Sequence, residues 1–164
     1  MELYVMRHGI AEEVSSSGRD RDRVLTEEGI ERTRESGKAL RKLDIEFDSI
    51  LSSPYARAWQ TAELVASELN CKRLLRPVDA LGSESTASKA AKSLATETAR
   101  SASVLVVGHE PILSEMISLL LSGSSNLAIA MKKGAICKLT CVRPEPGGCR
   151  LDWLLPPKFL CRMA

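Results

Sequence analysis

Aromatic residues make up only 4% of this chain and the formal net charge is +2. The stacking side chains and strong basic excess of a nucleic-acid surface are both missing, so no nucleic-acid partner is expected. No apolar run is long enough to span a bilayer. Met1-Glu2-Leu3 enters a strand-like segment at once, which leaves no place for the charged and apolar regions of a secretory signal. These absences predict a cytoplasmic protein with no membrane partner. The five cysteines, Cys71, Cys137, Cys141, Cys149 and Cys161, are odd in number and have no CxxC spacing, against a disulfide framework or a zinc knuckle. They read as small buried hydrophobes carrying reduced thiols, with Cys137 and Cys141 on one face of a strand and Cys149 at the start of its partner.

Histidine is scarcer still, with two residues in 164, and both stand in the same local pattern. His8 follows the apolar run Leu3-Tyr4-Val5-Met6 and lies in Arg7-His8-Gly9; His109 follows Val104-Leu105-Val106-Val107 and lies in Gly108-His109-Glu110-Pro111. Each run reads as a buried strand ended by a glycine beside the histidine. In open α/β sheets, ligands bind in the loops at the carboxyl ends of strands, so the two imidazoles can meet although about a hundred residues separate them. A single histidine near an apolar run is usually structural, but two in matching positions, one preceded by arginine, point to chemistry. A metal site needs three or four ligands, usually two of them closely spaced, and these histidines lack such partners. Neither a metal nor a cofactor is expected.

The length and the 44% hydrophobic content suit one domain over residues 1–164. Strand and helix alternate: a strand over 2–6, a polar loop from Glu12 to Asp22, and a helix from the N-cap Thr26 to about Lys42, with Glu27 and Glu28 at its positive end. A strand over 47–51 leads to a helix begun by Ser53-Pro54, whose apolar face comprises Tyr55, Ala58, Trp59, Ala62, Val65, Ala66 and Leu69. A short strand at 73–75, a weakly amphipathic helix within 83–100, a strand over 103–107 and a buried helix from Pro111 to about Leu121 follow. Two strands, 134–142 and 149–155, flank the turn-rich segment 143–148. The fold class expected is a three-layer α/β/α sandwich, a mostly parallel sheet with a C-terminal antiparallel hairpin.

A histidine can act as a nucleophile toward phosphorus, and a phosphoryl group in transfer demands several fixed cations. Arginines gather where such a group would lie: Arg7 beside His8, Arg57 in the first turn of the second helix, and Arg19, Arg21 and Arg23 in the first loop. Arginine forks hold phosphate oxygens in pairs, and a helix N-terminus adds oriented N–H groups. Together they describe a phosphate pocket.

These residues bring the chain close to a known family. It resembles the histidine phosphatase superfamily, of phosphoglycerate-mutase-like fold, through Arg7-His8-Gly9, Leu25-Thr26-Glu27-Glu28-Gly29, the long segment Ser52-Ser53-Pro54-Tyr55-Ala56-Arg57-Ala58-Trp59-Gln60-Thr61-Ala62, and Gly108-His109-Glu110-Pro111. The motifs span the chain in order, and the second is long enough to be specific. Its length and the wording Met6-Arg7-His8-Gly9-Ile10-Ala11 are most similar to the SixA-type phosphohistidine phosphatases. The resemblance implies that His8 becomes phosphorylated, that Arg7, Arg57 and His109 bind the transferring group, and that Arg23, separated by one residue from Leu25-Thr26, fills a further pocket position. Gly9 and Arg21 join the expected substrate-binding residues, although Arg19 and Arg21 alternate with Asp20 and Asp22 in what reads as a solvated, self-neutralising loop.

The chain departs from the superfamily pattern at the acid that protonates an alkoxide leaving group. Glu84, or Asp79, stands in the right loop without a sharp motif, whereas Glu110 reads as rim or helix first turn. An imidazole leaves far more easily than an alkoxide, so a phosphohistidine phosphatase needs little acid. The partner implied is a phosphohistidine-bearing protein, a phosphotransfer domain or a phosphotransferase-system carrier, served by a monomeric enzyme without an inserted cap. A small-molecule phosphomonoesterase or mutase, and a phosphohistidine-binding module without turnover, are the alternatives.

Overall fold

The computed structural model describes residues 1–164. Strand β1 (Glu2–Arg7) lies at the centre of the sheet, and Leu3, Tyr4, Val5 and Met6 are buried on both of its faces. That explains why the run is continuously apolar rather than alternating. It pairs in parallel with β4 (Ser103–Gly108) in the register Leu3↔Val104, and antiparallel with β5 (Ile136–Cys141) in the register Val5↔Cys137. The parallel strands β2 (Ser49–Ser52) and β3 (Leu75–Pro77) continue one side, and β6 (Cys149–Leu155) closes the other, giving the order β3-β2-β4-β1-β5-β6.

Five helices cover the two faces. On one face, α1 (Glu27–Lys42), α2 (Ala56–Glu68) and α5 (Pro157–Met163) pack over a core containing Tyr4, Leu40, Ile50, Ala62, Val65 and Leu160. On the other, α3 (Ala87–Glu97) and α4 (Ile112–Ser122) pack over Leu3, Val5, Leu94, Val106, Met116 and Leu120. The result is the expected α/β/α sandwich with an antiparallel end. No helix is long and apolar enough to cross a membrane.

The strand order positions the site. β1 and β4 are neighbours, but β1 runs on into a helix on one face and β4 into a helix on the other. Such a switch point opens a crevice at the carboxyl ends of the two strands, and His8 and His109 are the residues that follow those ends.

Several boundaries differ from the sequence reading for local reasons. α2 starts at Ala56 with Tyr55 as its N-cap residue, because Ser53 N–H extends the sheet to Val107 O and the Ser53 hydroxyl serves His109. The helix within 83–100 is the shorter Ala87–Glu97, capped by Thr86, whose hydroxyl accepts from Lys89 N–H. A 3-10 turn takes residues 72–74 and delays β3 to Leu75. α5 is an addition, entered through Pro156-Pro157 and anchored by Leu160. All five cysteines are free thiols, and Cys141 faces Cys149 across the hairpin.

Candidate active site

The loop leaving β1 is held on both sides. His8 N–H donates to Gly108 O at 3.1 Å, and Gly134 N–H donates to the carbonyls of both Arg7 and His8. Gly9 N–H donates to Thr61 Oγ1 at 3.0 Å, and Thr61 Oγ1 in turn donates to Arg57 O at 2.7 Å. The loop after β1 and the first turn of α2 are thus tied through one hydroxyl. A side chain at Gly9 would collide with Thr33 Oγ1, and one at Gly29 with the Ile10 carbonyl, so α1 approaches the loop through glycines at both contacts.

His8 is 5% exposed, and its Nδ1 lies 2.7 Å from Gly9 O. A carbonyl only accepts, so the ring proton sits on Nδ1 and Nε2 carries the lone pair. Arg57 Nε donates to that Nε2 at 3.3 Å. The opposite edge of the same guanidinium is gripped by one residue: NH1 donates to Asp20 O at 2.7 Å and NH2 to Asp20 Oδ2 at 2.9 Å. The other carboxylate oxygen of Asp20 takes Arg23 NH1 at 2.7 Å.

His109 lies against His8 with ring centroids 5.1 Å apart. Its Nε2 is 2.8 Å from Ser53 Oγ, and its Nδ1 is buried without a partner. Tyr55 packs against His109 with ring centroids 5.1 Å apart and places its ring under Arg57, whose Cζ is 5.6 Å from the centroid. Arg7 donates from NH1 to Met131 O at 2.8 Å, and its Nε is buried and unpartnered.

Burial is the main influence on the titration of both imidazoles. It pushes the pKa of His8 down to about 3, with the charges of His109, Arg57 and Arg7 adding to it and the Gly9 hydrogen bond opposing. His109 is likewise pushed down to about 3 by burial, then by Arg57, with Asp20 opposing. Both rings are therefore neutral at physiological pH. Burial also lowers Arg7, against the charge of Glu110.

The fold brings His8, Arg7, Arg57 and His109 together, while the remaining expected residues stand differently. Arg23 is joined to the cluster through Asp20. Gly9 offers no free N–H to a substrate, because its amide is bound to Thr61; it packs the loop and orients His8 instead. Arg21 is exposed, with Cζ 5.9 Å from the Tyr55 ring, at the edge of an open groove of about 470 Å³ that Glu84 and Asp79 also line. Neither carboxylate is bonded to a histidine. Glu110 accepts from the Ser114 N–H and hydroxyl in the first turn of α4.

Asp20, Ser53 and Tyr55 were not foreseen in these positions. Asp20 leaves the self-neutralising loop for the site, whereas Arg19 and Asp22 do pair with each other. Its one sequence signal is the aspartate three residues before Arg23. No group of three or more His, Cys, Asp or Glu side chains could hold a common metal ion.

Comparison with known proteins identifies the family and the fold. The sequence model of the histidine phosphatase superfamily (branch 1) matches residues 3–80. The chain is 29% identical over 160 residues to the phosphohistidine phosphatase SixA of Escherichia coli, covering 96% of this chain and 94% of that protein. It is 37% identical over 144 residues to an uncharacterised protein of Picosynechococcus, covering 85% and 84%. A solved structure of the protein histidine phosphatase SixA complexed with tungstate superposes with a TM-score of 0.87 at 27% identity, over 98% of this chain and 99% of that one.

Proposed function

Because this chain belongs to the histidine phosphatase superfamily, we propose that it is a phosphohistidine phosphatase, which removes the phosphoryl group from a histidine of a partner protein through a phosphohistidine intermediate on its own His8. The observation that carries this reading is the locked tautomer of His8: Gly9 O holds the proton on Nδ1, and the bare Nε2 faces Arg57 Nε. A buried, neutral imidazole with its lone pair toward a guanidinium is a nucleophile beside the cation that would receive the phosphoryl oxygens.

In the first step Nε2 attacks phosphorus, an N–P bond forms to His8, and the N–P bond of the substrate breaks. The departing imidazole takes a proton from solvent. In the second step water attacks phosphorus, the His8 N–P bond breaks, and phosphate leaves while Nε2 regains its lone pair. Arg57 and Arg7 stabilise the equatorial oxygens in both steps, and Arg23 contributes through its link to Asp20. The Ser53 hydroxyl accepts Tyr55 N–H at 3.2 Å and has its own proton to give to His109 Nε2 at 2.8 Å. In that tautomer the His109 proton sits on Nδ1, the otherwise unpartnered nitrogen, and can be donated to the transferring group. The arginines supply the positive charge that a metal would otherwise bring, so turnover should survive EDTA.

Access to the site favours a protein substrate. Between Arg57 and His109 the chain is used up by α2, β3, α3 and β4, leaving no inserted cap. Lys132 and Lys133, both exposed and without an ion pair, lie between Met131, whose carbonyl binds Arg7, and Gly134, whose N–H binds His8 O. A folded partner can supply around this rim the positioning energy that a free ester lacks. Glu84 and Asp79, unbonded to the histidines, would be weakly placed acids for an alkoxide, but an imidazole leaving group hardly needs one. The similarity to SixA of E. coli supports the same substrate class. The test is kcat/KM on a phosphohistidine-bearing carrier protein beside a panel of phosphomonoesters. The carrier should be preferred by orders of magnitude; preference for a common metabolite would make the protein a small-molecule phosphatase.

A further inference from the structure

Asp20 is the only carboxylate that pairs with an arginine of the site, and it pairs with two of them, at 2.9 Å from Arg57 NH2 and 2.7 Å from Arg23 NH1. Its carbonyl adds a third contact, to Arg57 NH1. Glu110 reaches Arg7 electrostatically, but both its oxygens are bound to Ser114. We propose that Asp20 is a specificity-determining residue: a resident carboxylate that trims the positive charge of the arginine cage to match one phosphoryl dianion, and so keeps the site from over-binding free phosphate. This inference rests on the phosphatase reading and deepens it.

Three guanidiniums, always protonated, stand against one directly paired carboxylate, and both histidines are neutral. Over these directly paired groups the balance is two positive charges, matching the two negative charges a phosphoryl dianion brings. Burial alone would raise Asp20, but the hydrogen bonds from Arg23 and Arg57 outweigh it and hold the carboxyl below its ordinary range, so it is ionised at neutral pH. Without this carboxylate the cage would grip phosphate harder before and after the chemistry, and binding that is equal in ground and transition states does not raise kcat.

Geometry supports the same conclusion. Asp20 holds the NH1 and NH2 edge of Arg57 and leaves Nε to His8 Nε2. The carboxylate thus reaches the reacting nitrogen only through the guanidinium and does not occupy it. With its side chain 53% exposed, the carboxylate itself stays hydrated at the edge of the cage. Arg57 is by contrast only 4% exposed and is held as well by the Asp20 carbonyl, which any side-chain substitution preserves.

The experiment compares the wild type with Asp20→Asn, which keeps an acceptor oxygen but not the charge, and with Asp20→Ala. Calorimetric titration with inorganic phosphate and with tungstate reads the cage independently of turnover. Both variants should bind each anion on the order of tenfold more tightly, as removal of one nearby unit charge predicts at a dielectric between those of protein and water. With the phosphohistidine carrier, KM should fall and kcat should fall with it as phosphate release slows. Unchanged or weaker anion binding by the Asn variant, with reduced kcat/KM, would overturn the proposal and make Asp20 a scaffold for Arg57. Tighter anion binding by protein that never turns over the carrier would instead overturn the phosphatase reading and leave the charge-trimming role of Asp20 standing.

Discussion

At the scale of single residues, the account depends on fixed hydrogen-bond directions. Arg57 presents Nε to His8 and two further nitrogens to Asp20, so a lysine, with one point charge and no fork, cannot replace it. Arg57→Lys should be nearly as damaging as Arg57→Ala, at about 3 kcal/mol of transition-state stabilisation or roughly a hundredfold in kcat/KM; a fully active lysine variant would place Arg57 outside the reaction. Ser53→Ala removes the partner of His109 Nε2 and should lower kcat roughly tenfold with little change in KM, the size of one lost hydrogen bond, which steady-state kinetics on the carrier would detect. The convergence of His8, Arg7, Arg57 and His109 was legible in the sequence because each sits at a strand end or helix start beside a motif. Asp20, Ser53 and Tyr55 were not, because their roles are set by contacts across the fold: only its spacing to Arg23 sets Asp20 apart from Asp22, which turns to Arg19 instead.

At the scale of elements, close approach is as important as pairing. The start of α1 meets the loop after β1 with no room for a side chain at Gly29. Gly29→Ala should therefore destabilise the protein by about 1–3 kcal/mol, as overpacking of a tight contact does, and lower kcat by displacing the His8 loop; an unchanged denaturation midpoint would refute this. The long strongly patterned elements β1, α1, β4 and α4 were readable from apolar spacing and caps. The start of α2 was misread because Ser53-Pro54 has the form of an N-cap and first helical residue, while the Ser53 hydroxyl is in fact spent on His109 and Tyr55. α5 escaped notice because its seven residues show too little periodicity, and its position is fixed by packing on α1.

At the scale of the whole molecule, the switch point between β1 and β4 brings two buried neutral histidines together, and stability must register their burial. Below pH 6.5 the unfolded chain takes up protons at His8 and His109 that the native state refuses until about pH 3. Stability is therefore full above pH 6.5 and is lost as pH falls toward 3, by about 2 kcal/mol for each histidine at pH 5 relative to pH 8. Urea midpoints at the two pH values, for the wild type and for a His8→Ala, His109→Ala double variant, check this; the same pH dependence in both would contradict it. The central claim is that His8 Nε2 accepts the phosphoryl group, and trapping it is the most direct test. The protein should be mixed with a phosphohistidine carrier, quenched in alkali on the millisecond scale, and mapped by mass spectrometry under conditions that preserve phosphohistidine. The account predicts a transient, acid-labile phosphoryl group on His8 that is absent from His8→Ala; turnover with no phosphoenzyme, or labelling that persists in that variant, would contradict it.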